Sequence, residues 1–208
     1  WCHNPESVAP GPELMHWPAR CRRCYACISA CPLGAIGKNG RGVIAVDRAK
    51  CDACGKCAEA CLSDAMQIVG REMTVEEVVA EVEKDRVFYE QSGGGVTLSG
   101  GDPFVQADFA EAVLDACRAR GLRTAVDTAG MAAAGVLDRL AAKADLVLYD
   151  LKVMDDARHR ETTGAPNGPL LENLARLVAR GVEVWVRVPL VPGVNAPRLP
   201  GPLRRLAT

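Results

Sequence analysis

One spacing of cysteines occurs twice in this chain of 208 residues, in CRRCYACISACP (residues 21–32) and in CDACGKCAEAC (residues 51–61). Each run reads C-x2-C-x2-C-x3-C, and together the two runs contain eight of the ten cysteines. A duplicated spacing of this kind indicates two equivalent half-modules, each of which supplies thiolates to a metal centre.

The spacing has a direct meaning for ligand geometry. Three thiolates two residues apart wrap a tight loop around three corners of a four-iron cubane, and the fourth, which we expect to start a short helix, serves the other cluster. We therefore predict two [4Fe-4S] clusters with crossed ligation. The ligands of the first are Cys21, Cys24, Cys27 and Cys61, and those of the second are Cys51, Cys54, Cys57 and Cys31.

Zinc, disulfides and unligated thiols account for the cysteines less well. Structural zinc would use two CxxC pairs and leave four cysteines unused. A disulfide framework fits poorly with the cysteine-poor stretch that follows. Buried thiols without ligands would not repeat one spacing.

Composition and charge narrow the class of protein. A net charge of −1 and a pI near 6.4 give no sign of nucleic-acid or membrane binding. No apolar run approaches the ~18 residues that cross a bilayer, and no signal peptide is visible. Because iron–sulfur ligands must stay reduced, we expect a cytoplasmic protein in an anoxic environment. The chain begins at Trp1 without an initiator methionine, and we expect a fragment.

Strands and helices are predicted to alternate after the cysteine runs. Thr74 and Glu77 form a capping-box pattern, which predicts a helix that ends near Gln91. Glycine-bounded apolar segments then predict strands over 96–98, 122–127, 145–150 and 182–188, with helices over 106–120 and 132–142 and one that contains 173–180. This alternation predicts parallel βα units whose short strands are buried on both sides.

Polar residues follow the predicted strands at their carboxyl ends, where βα barrels place their chemistry. They are Asp102, Asp127, Thr128, Asp150, Lys152, Arg187 and Asn195. Each alone is better explained as a cap or ion-pair member, but together they indicate one site. Cys117 has no cysteine or histidine partner at ligand spacing, so a buried structural thiol is expected there.

The stretch WCHNPES (residues 1–7), directly before the cysteine runs, resembles the glycyl radical enzyme activating enzymes, a branch of the radical S-adenosylmethionine (SAM) superfamily. In that family this segment closes a C-x3-C-x2-C motif whose thiolates bind a [4Fe-4S] cluster with one open iron. Cys2 matches the third cysteine of the motif, and the first two do not occur in these residues.

Further motifs extend the resemblance over the whole chain. SGGDP (99–103) is similar to the loop that binds the amino group of SAM, which implies this role for Gly100, Gly101 and Asp102, although the family usually has Glu in place of Asp. DTAG (127–130) and DLK (150–152) resemble segments around the methionine carboxylate and, in some members, a monovalent cation. The site residues so implied are Asp127, Thr128, Asp150 and Lys152, while Arg187 matches the arginine of an R-x-P strand. His159, in an HxxxTG-like stretch, is expected to be structural or partner-facing.

The resemblance implies an α/β fold, a partial (β/α)6 radical SAM barrel with an inserted bacterial ferredoxin-like two-cluster domain (α+β). The expected boundaries are 1–14 for the end of the cluster loop, 15–72 for the insert and 73–208 for a barrel truncated at both ends. About four of six barrel strands are expected.

The implied function is reductive cleavage of SAM to a 5′-deoxyadenosyl radical that takes hydrogen from a backbone glycine of a partner glycyl radical enzyme. Cys2, Lys152 and Arg187 are the implied catalytic residues, and flavodoxin or ferredoxin is the implied electron donor to a monomer. The insert would act as an electron relay or as a docking surface, and both remain open. Two alternatives are a two-cluster electron-transfer subunit, which would not bind SAM, and a radical SAM enzyme acting on a small molecule.

Overall fold

The computed structural model describes residues 11–191 and 193–196, which form two compact units, one ending at Met73 and the other beginning at Thr74. The predictions for residues 1–10, including that for Cys2, lie outside the described residues.

The first unit is a small α+β module with two antiparallel strand pairs. Its elements are β1 Glu13–His16, α1 Ala26–Ala30, β2 Ile36–Lys38, β3 Ile44–Val46, α2 Lys56–Glu59 and β4 Met66–Val69. β1 pairs with β4 and β2 pairs with β3. β2 and β3 therefore form a hairpin, and β1 lies in a segment for which the sequence predicted no strand.

The core of this module is formed by a few aliphatic side chains and the cysteines themselves. Leu14, Ile44 and Met66 are almost fully buried and pack with Cys27 and Cys57. Such a small apolar core gives limited stability by itself, so a bound group at the cysteines would contribute to holding the module together.

The short helices of the module begin earlier than expected. The fourth cysteine does not start a helix; instead α1 contains Cys27 and α2 contains Cys57. Tyr25 and Gly55, both in the left-handed conformation, precede the two helices, and Cys31 is extended just beyond α1. The tight turn after the second cysteine starts the helix, which is why the third cysteine is helical.

The second unit is an α/β fold with a four-stranded parallel sheet. Its elements are α3 Val75–Glu83, α4 Arg86–Ser92, β5 Gly95–Leu98, a 3-10 turn Pro103–Gln106, α5 Ala107–Ala119, β6 Arg123–Thr128, α6 Ala134–Ala141, β7 Leu146–Asp150, α7 Asp156–Thr163, α8 Gly168–Ala179 and β8 Val184–Arg187. The strand order is β5-β6-β7-β8, and every neighbouring pair is parallel. The predicted parallel βα units are confirmed.

The helices cover the sheet through a continuous set of aliphatic side chains. Leu114 of α5, Leu140 of α6 and Val126 of β6 are completely buried in one cluster, and Tyr149 packs with Leu177 of α8 in another. The central strand β6 is buried on both sides. β5 and β8 are the edge strands of the described sheet and both have exposed residues, so the expectation of strands buried on both sides is wrong for these two strands.

The single helix expected from Val75 to near Gln91 is two helices. The predicted capping box is present, since Thr74 accepts a hydrogen bond from the amide of Glu77 while the Glu77 carboxylate accepts one from the amide of Thr74. At Asp85, however, the backbone leaves helical geometry (φ −97°, ψ 8°). Val87, in the second of these helices, is exposed.

Helix α7 was not predicted because its sequence lacks apolar periodicity. DARHRETT is strongly polar, and only His159 is buried in it. The helix starts at a side-chain cap, where the Asp155 carboxylate accepts from the amide of Arg158 at 2.9 Å. Local capping therefore positions this helix. In the described part of the chain, no helix is long and apolar enough to cross a membrane.

We predict that Gly130→Ala destabilises the second unit more than Gly121→Ala. Both glycines have positive φ (75° and 70°), a conformation that costs an L-residue about 1–2 kcal/mol. A Cβ at Gly130 would lie 1.8 Å from the hydroxyl oxygen of the buried Tyr149, whereas nothing lies within 4 Å at Gly121. Overpacking adds about 1–3 kcal/mol. Urea unfolding followed by circular dichroism measures the difference, and equal losses would contradict this packing.

Candidate functional site

The two cysteine loops have nearly the same backbone. Arg23 (φ 56°) and Ala53 (φ 55°) occupy equivalent positions and are both left-handed, as are Tyr25 and Gly55 two residues later. Positive φ is uncommon for residues other than glycine, so its recurrence at equivalent positions is a consequence of the loop shape. Each loop curls around the space in front of its cysteines in the same way.

Backbone amides point at the fourth cysteine of each run. The amide of Ala35 donates to Cys31 Sγ at 3.3 Å, and the amide of Ala65 donates to Cys61 Sγ at 3.3 Å. Desolvation opposes ionisation of Cys61, but hydrogen bonds from Ser63 and from nearby amides outweigh it and lower the pKa of this thiol. Donors of this kind stabilise a thiolate, which is the form that binds metal.

The third cysteine of each run lies beside cysteines of both runs. Burial raises the pKa of Cys27, and the neighbouring Cys21 and Cys61 raise it further. Burial likewise raises the pKa of Cys57, next to Cys51 and Cys31. Thiolates gathered in this way repel one another unless a cation lies between them. The crossed ligand sets expected from the sequence stay a prediction.

A cavity is present at the second of these groupings. It is a small pocket lined by Cys31, Cys51, Cys54 and Cys57, with apolar walls that include Leu14 and Ile36. Soft thiolate donors in such a cavity suit an iron–sulfur cluster. Within the described ranges, no three Cys, His, Asp or Glu side chains lie close enough together to hold a single metal ion.

In the second unit, the carboxyl ends of the parallel strands form an edge that we call the polar rim. It comprises Ser99, Asp102, Asp127, Thr128, Asp150, Lys152 and Arg187. The strand register explains this grouping, because Asp150 of β7 pairs with Arg187 of β8 and Thr128 of β6 pairs with Tyr149 of β7. The structure thus brings the predicted rim residues to one edge of the sheet.

Arg187 is the centre of an ion-pair network on the polar rim. Its Nε donates to Asp150 Oδ1 at 2.9 Å, and its Nη2 contacts both Asp150 (2.8 Å) and Asp127. Hydrogen bonds to Asp127 raise the pKa of this guanidinium. Lys152 Nζ lies 3.1 Å from the other Asp150 oxygen, and Ser99 Oγ donates to Asp127 Oδ2 at 3.1 Å. One cation therefore holds two carboxylates from neighbouring strands together.

Asp102 connects the loop after β5 to the end of β6. Its carboxylate accepts from Thr128 Oγ1 at 2.8 and 3.0 Å, from the amide of Ala129 at 3.0 Å and from the amide of Phe104 at 3.2 Å. The sequence offered a cap or ion-pair role for Asp102 and, by resemblance, a ligand-binding role. The cap is present at Phe104, whereas the hydrogen bonds from Thr128 and Ala129 were missed. The Asp102 side chain, one methylene shorter than that of Glu, is therefore hydrogen-bonded by residues of its own loop and of the loop after β6. Gly100, at φ 118°, has open space where a side chain would point.

The remaining candidates have structural surroundings. Asn195 is buried, and its amide donates to the carbonyls of Lys152 (2.8 Å) and Pro189 (2.7 Å), which ties the loops after β7 and β8. His159 is 2% exposed, with Nδ1 2.7 Å from the carbonyl oxygen of Ala165, an environment suited to the structural role rather than to a partner contact. Cys117 is completely buried, and burial raises the pKa of its thiol.

Taken together, the two units define an α/β protein with a polar strand edge and a duplicated, cluster-type cysteine module. Comparison with protein-family models agrees: the radical SAM superfamily model matches residues 48–199, and a 4Fe-4S dicluster domain model matches residues 14–62. The chain belongs to the radical SAM superfamily. Iron–sulfur clusters and SAM are the cofactors that these two models imply.

Its curated relatives carry related names. The chain is 43% identical over 201 residues to "Isethionate sulfite-lyase activating enzyme" of Oleidesulfovibrio alaskensis, and 44% identical over 196 residues to "Trans-4-hydroxy-L-proline dehydratase activating enzyme" of Clostridioides difficile. Both alignments cover 94% of this chain and 65% of the relative, so the chain spans about two thirds of their length. A "Choline trimethylamine-lyase activating enzyme" of Oleidesulfovibrio alaskensis is 40% identical over 197 residues, which is 94% of this chain and 64% of that relative.

A solved structure also overlaps part of the chain. It is described as a domain of pyruvate-formate lyase-activating enzyme from Bacteroides vulgatus, with 36% identity and a TM-score of 0.47 over 50% of this chain and 64% of that one.

Crossed ligation is tested by two sets of alanine substitutions. Replacing Cys31, Cys51, Cys54 and Cys57 removes one crossed set, so about four of about eight irons per reconstituted chain should remain. Replacing Cys51, Cys54, Cys57 and Cys61 removes the same number of thiols from one run but breaks both crossed sets, so little iron should remain. Iron analysis with Mössbauer spectroscopy measures both. If the second variant instead keeps about four irons and the first keeps little, ligation is run by run.

We predict that Thr128→Val loosens the polar rim while Thr124→Val does not. Thr128 Oγ1 donates to Asp102 and accepts from the amide of Gly130 at 2.9 Å, so its loss leaves buried partners unpaired. The penalty is about 1–3 kcal/mol. Thr124 is equally buried, but its hydroxyl makes only a 3.4 Å contact with Asp145. Hydrogen exchange of β6 amides should accelerate in the first variant alone; the same acceleration in both would contradict this role.

Proposed function

We propose that this chain is part of an enzyme that activates a glycyl radical enzyme, taking hydrogen from a backbone glycine of that partner by means of SAM. The observation that supports it most is the presence, in one radical SAM chain, of the polar rim and the duplicated cysteine module. The relatives named above are activating enzymes of a lyase or a dehydratase. Their shared naming supports the class of partner, not a particular one.

The finer architecture belongs to the same proposal. The four parallel strands would be part of a (β/α)6 barrel, residues 15–72 a ferredoxin-like insert, residues 73–208 the barrel portion and residues 1–14 the end of the cluster loop. The protein would work in the cytoplasm as a monomer, with flavodoxin or ferredoxin as its electron donor.

A [4Fe-4S] cluster held in part by Cys2 would supply the electron for reductive cleavage of SAM to methionine and a 5′-deoxyadenosyl radical. The chain's own residues bind and orient SAM. Gly100 and Gly101 lie on an exposed loop without side chains to block close approach. Asp102 keeps that loop against Thr128, with lone pairs left for an ammonium donor.

The charged part of the polar rim would receive the methionine carboxylate. Lys152 and Arg187 supply two cations there, while Asp127 and Asp150 hold these cations in place. Arg187 already forms ion pairs with two carboxylates, Asp127 and Asp150. Its role is therefore to fix the geometry of the polar rim and to reduce the repulsion between these carboxylates and an incoming anion. Orientation of this kind is the part of catalysis that the protein adds to cofactor chemistry.

The test uses this chain and a version extended at its amino end by a complete C-x3-C-x2-C motif. Under anaerobic reconstitution we expect about eight irons on this chain and about four more on the extended one. With dithionite and SAM, the extended protein should release 5′-deoxyadenosine and produce a glycyl radical signal in a partner enzyme. If extension adds no iron and SAM changes no EPR signal, the electron-transfer subunit replaces this proposal.

Asp102→Asn tests the SAM loop, with Asp108→Asn as the matched control. Asp102 loses acceptor capacity toward Thr128 and Ala129 and toward an ammonium group, and we expect SAM affinity to fall about tenfold, the equivalent of ~1.4 kcal/mol. Asp108 is 92% exposed and pairs only with Arg139 on the surface, so affinity should stay unchanged there. Calorimetric titration with SAM measures both. A loss of the same size at Asp108, or no loss at Asp102, would contradict the assignment.

A further inference from the structure

The two cysteine loops share a backbone but differ in charge. Arg22 and Arg23 of the first loop are equivalent to Asp52 and Ala53 of the second, as counted from the first cysteine of each run. The backbone match at Arg23 and Ala53 is within one degree in φ. Because the conformations are the same, the fold does not require arginine at these positions.

The cations of the first loop are exposed and uncompensated. Arg20, Arg22 and Arg23 are all exposed, and none of them forms an ion pair with another of the described residues. Arg20 stacks on the ring of Trp17, with 5.4 Å from its guanidinium carbon to the ring centroid. At the second loop, by contrast, Lys50 pairs with Asp47 at 3.2 Å.

The residue equivalent to Arg22 has a local structural task. The carboxylate of Asp52 accepts from the amide of Cys54 at 3.1 Å and thereby closes the second loop. Arg22 cannot accept such a bond, so the first loop lacks this closing contact through its side chain. At equivalent positions, Asp52 therefore stabilises the second loop, whereas Arg22 places a positive charge in the solvent.

The surface next to the first loop also offers metal ligands and an apolar contact. Cys24 is exposed between Arg23 and Tyr25. Leu62, which directly follows Cys61, is completely exposed. Both cysteines belong to the first predicted ligand set, so the charge and the exposed leucine flank the same cluster site. Basic charge around an apolar contact is typical of a surface that receives an acidic protein.

We propose that Arg20, Arg22, Arg23 and Leu62, together called the basic loop surface, form the docking site of an acidic one-electron carrier protein. The electron enters at the cluster site of Cys21, Cys24, Cys27 and Cys61 rather than at the second site. This inference deepens the proposed function and rests on it, since only a reductively driven enzyme needs such a donor. One electron leaves the carrier, which is oxidised by one unit, and enters the cluster, which is reduced by one unit; no bond forms and no proton moves.

The charge difference is large enough to select one docking site. Electrostatic steering raises association rates by about 10- to 1,000-fold at low salt and is lost as salt screens it. Among the described residues, three unpaired cations at the first loop face two lysines that are offset by Asp47 and Asp52 at the second. This difference favours approach of an acidic donor to the first site.

The experiment compares two variants that lower the net charge by the same three units. Arg22→Asp/Arg23→Ala places in the first loop the residues that the second loop already accommodates, so the loop should fold and could regain the closing contact. Lys50→Gln/Lys56→Glu makes an equal charge change in the second run. Each anaerobically reconstituted holoprotein is mixed in a stopped-flow instrument with fully reduced acidic flavodoxin, at about 0.05 M and about 0.5 M salt. Iron content and the extent of reduction by dithionite are measured in parallel.

We expect the first variant to be reduced about tenfold more slowly than the wild type at low salt, with a flatter salt dependence. The second variant should behave as the wild type. Leu62→Ser should weaken flavodoxin binding without changing the salt dependence. Equal rates of reduction by flavodoxin in the two charge variants would overturn the docking site, whether both rates are unchanged or both are lowered. A first variant that is reduced at the wild-type rate but activates the glycyl radical partner slowly would also overturn it.

The measurement separates this inference from the proposed function. Dithionite bypasses the docking site, so SAM cleavage by the extended protein with dithionite reports on the proposed function alone. If that cleavage is absent, the proposed function fails, while the flavodoxin rates still decide whether the basic loop surface is the docking site. If cleavage is present and the rates are equal, only the docking inference fails.

Discussion

The contact between Arg187 and the two aspartates Asp127 and Asp150 is the interaction on which the second unit's site depends. Parallel strand pairing forces the carboxyl ends of β6, β7 and β8 to one edge, and each strand ends there with a charged residue or next to one. Two carboxylates on adjacent strands would repel each other. Because Arg187 lies on the neighbouring strand in register with Asp150, one guanidinium bridges the two carboxylates and, together with Lys152, offsets their charge, which gives an ordered polar rim. About 43% of the Arg187 side chain is exposed, so solvent screening makes its value for stability small. Its main effect is therefore on geometry.

The first unit also brings groups of like charge close together, but these groups are cysteine thiolates instead of carboxylates. Its aliphatic core is small, and the cysteines are part of that core rather than attached to its surface. Burial and the neighbouring cysteines disfavour thiolates at Cys27 and Cys57, while hydrogen bonds from Ser63 and nearby amides favour the thiolate of Cys61. In the absence of metal, the effects that disfavour thiolates in this module are therefore incompletely compensated. Because metal binding stabilises thiolates that are otherwise unfavourable, the free energy of cofactor binding contributes to the folding of this unit.

Sequence patterns predicted the parts of this structure that follow from spacing. The cysteine runs predicted two equivalent loops, and short apolar segments located the parallel strands within one or two residues, as at 145–150 against the observed Leu146–Asp150. Features that depend on tertiary context were missed. Helix α7 is held by Asp155 and by burial of His159, not by apolar periodicity. The break at Asp85 is a backbone change that leaves the apolar spacing intact. For Asp102, the motif suggested a ligand contact but could not reveal that Thr128 and Ala129 come within hydrogen-bond distance of it.

The internal duplication of the first unit separates what the fold requires from what function has added. Where the two halves agree, as in the left-handed residues that follow each first cysteine and the amides directed at Cys31 and Cys61, the common feature is a requirement of the loop itself. Where they differ on the same backbone, packing and backbone strain are not the reason. Arg22 and Asp52 differ in this way: Asp52 closes its loop, whereas Arg22 gives up that contact and presents charge to solvent. The two loops therefore share a backbone conformation but differ in surface charge. Under the docking proposal, this difference in charge, rather than a difference in the core, decides which of the two sites receives the electron.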